Sequence, residues 1–179
     1  LIAFARELGV ESELKPVLSF PLGSNVVTLV EALRIYEALA TGEVVTTSKL
    51  TGDENVLLSV IDRIETADGE VLFKPERRAR RMLASETSIA IGHILENVIK
   101  HGTGRYADKT IKLTDAAGAE AAGFDSLGIS IPVLGKTGTA NRYTNASFLG
   151  FLPQLSEKKD SLSQEDGYAV GVYVGFDDN

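Results

Sequence analysis

The sequence predicts an α+β fold, an antiparallel sheet covered by helices. Three observations support that prediction. Amphipathic helical patterns occupy the earlier part of the chain, and three strand-like runs follow one another toward its end. No helical pattern separates those runs, as the crossovers of a parallel sheet would require. The 179 residues, 44% hydrophobic and 24% charged, suit one domain with a buried core rather than a disordered segment.

Residues 2–9 read as a short helix closed by Gly9, and Pro16, Pro21 and Gly23 mark a loop over 15–25. Thr28 and Glu31 have capping-box spacing. Behind them Leu29, Leu33, Tyr36 and Leu39/Ala40 recur every three or four residues, a helix ending near Gly42. Val56–Ile64 and Glu70–Phe73 flank Ala67-Asp68-Gly69, the signature of a hairpin. From Pro75 the pattern reads as helical, with Arg77, Arg78, Arg80 and Arg81 on a basic surface that is either solvated or set against anionic glycan or lipid headgroups. Ser85 is a candidate N-cap for a further helix. Its stripe is Ile91, Leu95 (or Ile94) and Val98, and it runs to about His101, where Gly102-Thr103-Gly104 ends it. Residues 105–132 read as loop with short helical turns, a possible insertion. Strands are expected at 133–140, 146–152 and 168–175, with a tight link at 141–145 and a polar, exposed loop at 153–167.

Composition excludes several functions. The formal net charge is −7, a poor match to a nucleic-acid surface, so no nucleic-acid partner is expected. No stretch approaches 18 continuous apolar residues, so no transmembrane segment is expected in this chain, and no secretion signal is visible at its start. Zero cysteines remove disulfides, zinc-thiolate sites and thiol nucleophiles. The two histidines, His93 and His101, are too few for a three-His metal site, and Asp177-Asp178 reads as a turn; no metal or cofactor is expected. Leu1–Ala5 starts inside an apolar helical pattern and Gly175–Asn179 follows a strand directly, so the chain is expected to be part of something longer.

The sharpest local motif is Gly135-Lys136-Thr137-Gly138-Thr139. Gly135-Lys136-Thr137 copies the end of a phosphate-binding loop, but that motif needs a glycine at position 130, which is Ser130, and a following helix rather than a strand. On a strand, Lys136 and Gly138 face one way, and Thr137 and Thr139 the other. Gly138 permits close approach of another backbone, and an edge strand can pair with an extended peptide. A threonine hydroxyl suits a carboxylate, and Lys136 supplies positive charge and a proton path. The competing reading is an ordinary edge strand with solvated side chains.

These residues resemble the transpeptidase domain of the penicillin-binding proteins, in which Lys-Thr-Gly lies on the strand bordering the active site. Leu22-Gly23-Ser24 through Val27-Thr28-Leu29-Val30-Glu31-Ala32 to Tyr36 is similar to a segment of the class A, bifunctional members. Gly102-Thr103-Gly104, Lys136-Thr137-Gly138-Thr139, Phe148–Pro153 and Val172–Asn179 occur in the family's order. The ordered set spans most of the chain except roughly 105–130 and 154–166. Members of this type often carry Thr where this chain has Ala140, and Asp and Trp where it has Asn145 and Ser147.

The resemblance implies a serine β-lactamase-like fold with five sheet strands. This chain would supply three of them as the C-terminal portion of one transpeptidase domain, with 105–132 as an insertion or long loop. Lys136 and Thr139 take catalytic roles, the Thr139 N–H as second oxyanion donor. Thr137, Gly138 and Thr139 bind substrate, the two threonines meeting the terminal carboxylate of a D-alanyl-D-alanine stem peptide or a β-lactam. The attacking serine belongs to a Ser-x-x-Lys helix, and Ser156-Glu157-Lys158-Lys159 matches only as letters, amid polar residues between strands. The nucleophile and a Ser-x-Asn loop are therefore expected before residue 1. The implied partners are peptidoglycan stem peptides, β-lactams and the missing N-terminal part of the domain, possibly as a separate chain. In the family the first strand pairs with the last, so Tyr168–Gly175 would lack its neighbour here. The implied location is the extracytoplasmic face of the bacterial cytoplasmic membrane, anchored by a preceding segment. The alternative is a non-catalytic peptide-binding or scaffold module of the same fold.

Overall fold

The structure, a computed structural model, describes residues 1–48, 54–55, 63–110, 132–140, 144–155 and 162–176. It is α+β. Helix α1 (Ile2–Glu7) leads through a 3₁₀ turn at Phe20–Leu22 to α2 (Leu29–Thr41). The anticipated capping box is formed: the Thr28 hydroxyl accepts from the Glu31 N–H, and the Glu31 carboxylate accepts from the Thr28 N–H. Gly42, at φ 79°, ends α2 in the left-handed conformation that glycine adopts without a Cβ clash.

Next comes β1 (Glu43–Ser48), a Val/Thr-rich strand that the sequence pattern did not single out, then β2 (Glu54–Asn55). A short hairpin, β3 (Ile64–Glu65) and β4 (Val71–Phe73), turns through Gly69 at φ 85°, as the Asp-Gly pair predicts. The Val56–Asp62 part of that prediction lies outside the described residues. The arginine run is not helical. Arg77–Arg81 forms β5 and pairs antiparallel with β1 from Glu43↔Arg81 to Thr47↔Arg77. Arg and Ala favour helix locally, but five consecutive cross-strand pairs override that preference.

Helix α3 (Ser85–Lys100) starts one residue earlier than the capping prediction requires: Ala84 is its N-cap and Ser85 its first helical residue. Of the two stripe candidates, Leu95 packs inward and Ile94 is 65% exposed. A short α4 (Arg105–Thr110) follows the Gly-Thr-Gly turn, and residues 111–131 lie outside the described set. The second three-stranded sheet is β6 (Leu134–Thr139), β7 (Asn145–Leu155) and β8 (Leu162–Gly175), all antiparallel in the order β6-β7-β8. The strands run further into 153–167 than the polar composition suggests, with buried Pro153 at a register irregularity between Leu152 and Gln154.

Helix α2 joins the two three-stranded sheets. Ala38 packs with Leu8 and Val44 on one side, while Ala40 packs with Leu134 and Phe151 on the other, joined by Leu95 of α3 and Ala169. Cross-strand partners share a sheet face. Leu134, Lys136 and Gly138 therefore share the helix-covered face with Phe151, Leu149 and Ser147. Gly171 is on that face too, where an added Cβ would lie 2.9 Å from the Leu33 Cδ2 of α2. The opposite face carries Phe148, Val170, Val172 and Val174.

Candidate functional site

Among the described residues β6 pairs only with β7 and so forms one edge of its sheet. The Ala140 N–H donates to the Asn145 carbonyl, on the β7 side. Backbone groups alternate sides along an antiparallel strand, so the N–H and C=O of Thr139 and Thr137 face the unpaired side. The Lys136 amino group confirms that direction by donating to the Thr137 carbonyl at 2.8 Å. Lys136 and Thr139 are exposed, and Thr137 and Gly138 half-buried. A Cβ at Gly138 would lie 2.5 Å from the Ser147 Oγ, so the cross-strand neighbour alone already favours glycine there.

The end of α3 comes to this edge. The N–H groups of Gly102 and Gly104 both donate to the Val98 carbonyl at 3.1 Å. An added Cβ at Gly102 would lie 2.7 Å from the Val98 carbonyl oxygen, and one at Gly104 would lie 2.5 Å from the Ile99 Cδ1 and displace that side-chain tip. The two glycines thus fold the chain tightly against its own helix and leave Thr103 projecting between them. The Thr103 and Thr137 hydroxyls are hydrogen-bonded at 2.5 Å, and either could be the donor. The sequence alone marks Gly102-Thr103-Gly104 as a helix end and as one of the ordered motifs, with no role for Thr103. Its meeting with Thr137 joins residues 34 positions apart, and no local pattern signals it.

The helix beneath the sheet is anchored by Glu31. Its Oε1 accepts from the N–H groups of Glu11 (2.6 Å) and Ser12 (2.7 Å); its Oε2 accepts from the Ser12 hydroxyl (2.6 Å), the Thr28 N–H (2.7 Å) and the Thr28 hydroxyl (2.9 Å). Burial pushes this carboxyl up, but the Ser12 hydroxyl and the Thr28, Ser12 and Glu11 N–H groups together bring it down to about 2.

Candidates for an activated serine are poorly placed. Ser156-Glu157-Lys158-Lys159 lies outside the described residues. A second match to those letters, Ser12-Glu13-Leu14-Lys15, sits in irregular chain rather than on a helix, and its hydroxyl is committed to Glu31. On α3, Ser85 and Ser88 are followed three positions later by Ser88 and Ile91, not lysine. His93 is exposed on α3, 3.7 Å from Glu96, and His101 is its exposed C-cap. Among the described residues no group of three or more His, Cys, Asp or Glu is placed to hold a metal ion, and no helix is long and apolar enough to cross a membrane.

The chain is similar along 99% of its length to penicillin-binding protein 1A of Rickettsia typhi (strain ATCC VR-144 / Wilmington), at 26% identity over 182 aligned residues. The proteins of the same name from Rickettsia felis and Rickettsia prowazekii are 25% and 24% identical over the same span. The chain covers 20% of the length of each of these relatives. No protein-family model matches it. The relation to penicillin-binding protein 1A is thus a distant one, at the level of the family.

Proposed function

We propose that this chain is the C-terminal part of the transpeptidase domain of a class A penicillin-binding protein. Its β6 edge forms one wall of the site where a serine from the preceding part of the domain acylates on a D-alanyl-D-alanine stem peptide. The observation that carries the reading is the open side of β6, where among the described residues no strand pairs with the backbone of Thr137 and Thr139 and the Lys136 amino group lies on the Thr137 carbonyl. An extended peptide can add to such an edge as a further strand. The Thr139 N–H faces the side on which a carbonyl oxygen would develop charge, the requirement for an oxyanion donor. The ordered motifs and the distant likeness to penicillin-binding protein 1A support the same assignment.

In this reading the serine attacks the penultimate D-alanine carbonyl. The C–N bond to the terminal D-alanine breaks with a proton delivered to the departing amine, and the acyl group passes to an amine of a neighbouring stem or to water. Lys136 holds positive charge beside the substrate carboxylate, Thr137 and Thr139 bind that carboxylate, and Gly138 lets the acyl group lie close to the strand. The missing first strand covers the β8 edge. The parent protein acts on the extracytoplasmic face of the cytoplasmic membrane.

Fluorescent penicillin tests this directly. The full-length protein should be labelled covalently and stably to denaturation, and the isolated 179-residue chain should not. An unlabelled full-length protein would reject the enzyme and leave a peptide-binding module of the same fold.

A further inference from the structure

We infer that Thr103 is a positioning residue for the carboxylate site, donating its hydroxyl proton to the Thr137 Oγ1 so that the single Thr137 proton is left for the substrate's carboxylate. The inference rests on the transpeptidase reading and deepens it. A threonine hydroxyl has one proton and two lone pairs. The two hydroxyls are 2.5 Å apart, so one of them donates to the other. If Thr137 spent its proton on Thr103, it would offer only lone pairs to a carboxylate, and two acceptors facing each other repel. With Thr103 as donor, Thr137 accepts on one side and donates on the other, and each hydrogen bond polarises the next. An arriving carboxylate therefore selects the direction Thr103 to Thr137 to carboxylate.

The geometry of the turn gives Thr103 the means to do this. Gly102 and Gly104 both bond to the Val98 carbonyl, and a Cβ at Gly102 would run into the Val98 backbone. Helix α4 follows at once, with the Ala107 N–H on the Gly104 carbonyl. Thr103 is thus held between two fixed points while its side chain is exposed and touches the edge strand. Packing alone would need no hydroxyl here, and valine would fill the same space.

The test uses the full-length protein and two probes, fluorescent penicillin with its free carboxylate and the same compound as its methyl ester. Thr103→Val should slow acylation by the free acid up to about tenfold, the upper end for one neutral hydrogen bond, and leave acylation by the ester within about twofold. Thr103→Ser should restore the rate with the acid. Thr137→Val should show the same dependence on the carboxylate, and adding Thr103→Val to it should produce little further loss. Equal slowing with both probes, or a lowered melting temperature with no discrimination between them, would make Thr103 merely structural and overturn the inference. An unaffected Thr103→Val in a labelled protein would also overturn it while the enzyme reading stands. Absence of labelling in the unsubstituted protein would reject that reading, and the inference with it.

Discussion

The two outer strands of one sheet differ in most properties that govern what an edge can do. Strand β6 is six residues long, Leu134 and Gly135 are buried at its start, and its exposed side chains are Lys136 and Thr139. Strand β8 is fourteen residues long, and Tyr168, Val172, Tyr173 and Val174 are all more than half exposed. Both pair only with β7 among the described residues. A long apolar edge invites association, whereas a short polar one resists it and can take a guest reversibly. Under the proposed function the contrast gives the two edges different work: β6 would meet substrate, and β8 would be covered.

The largest effect expected from breaking that contrast is at Lys136. In the full-length protein Lys136→Ala should slow acylation by fluorescent penicillin roughly 100- to 1,000-fold, the range seen when one preorganised electrostatic contact in an active site is removed. Circular dichroism should be unchanged, because the side chain is exposed and its hydrogen bond is to the next residue's carbonyl. An unaltered acylation rate would remove Lys136 from the site and with it the case that β6 is the working edge.

Next in size is Glu31, which separates the two edges through their backing. Helix α2 lies behind β8, where Gly171 meets Leu33, while β6 rests mainly on α3. Glu31 is 7% exposed and its carboxylate accepts five hydrogen bonds. Glu31→Gln replaces one accepting oxygen by a donor that would face donors, and should destabilise the fold by about 3 kcal/mol in a denaturant melt. Amide exchange should then accelerate in β8 more than in β6. The same group sets an acid limit. Its folded pKa of about 2 lies below the ordinary 4.5, so its stabilisation is fully present above that ordinary value and is lost as pH falls toward 2. The gap between wild type and Glu31→Gln should accordingly narrow over that interval, and a gap independent of pH would refute the charged state proposed for Glu31.

Smaller still are the glycines that let the strands approach. At Gly138 a methyl group would sit 2.5 Å from the Ser147 Oγ and near nothing else closer than 3.9 Å, so Gly138→Ala should cost about 1–2 kcal/mol. Adding Ser147→Ala should recover most of the loss in thermal melting, since the clash is with the hydroxyl alone. Failure of that rescue would point to a backbone requirement at Gly138 that the strand pairing does not explain.

These sites divide by how far apart in sequence their causes lie. Helix α2 was legible because Thr28, Glu31 and the apolar stripe are local, and the order of the last three strands was legible because adjacent strands without an intervening helix pair antiparallel. The lysine–threonine–glycine motif is legible as a strand from its residues, and among the described residues that strand pairs only with β7. Strand β5 is not legible because Arg77-Arg78-Ala79-Arg80-Arg81 has no apolar alternation and is held by pairing to β1, 30 or more residues away. The same limit hid Glu31 beneath Ser12 and Thr103 against Thr137: in each case the partner is a polar atom on a distant turn.

The smallest expected effect tests the β8 side of the contrast. Val172→Thr with Val174→Thr alters two side chains that are 53% and 66% exposed on the face away from α2, so in the isolated chain the unfolding free energy should move by no more than about 0.5 kcal/mol. Self-association should nevertheless fall, because the exposed apolar stripe of Val170, Val172 and Val174 is what a second copy would bury. In the full-length protein the sign should reverse. If the rest of the domain covers this strand, the same two substitutions place hydroxyls in a buried contact and lower the melting temperature by several degrees. Light scattering on the isolated chain and a thermal melt of the full-length protein make the pair of measurements. Equal, negligible effects in both would mean that β8 is an ordinary solvent-facing strand and that the two edges differ in composition but not in role.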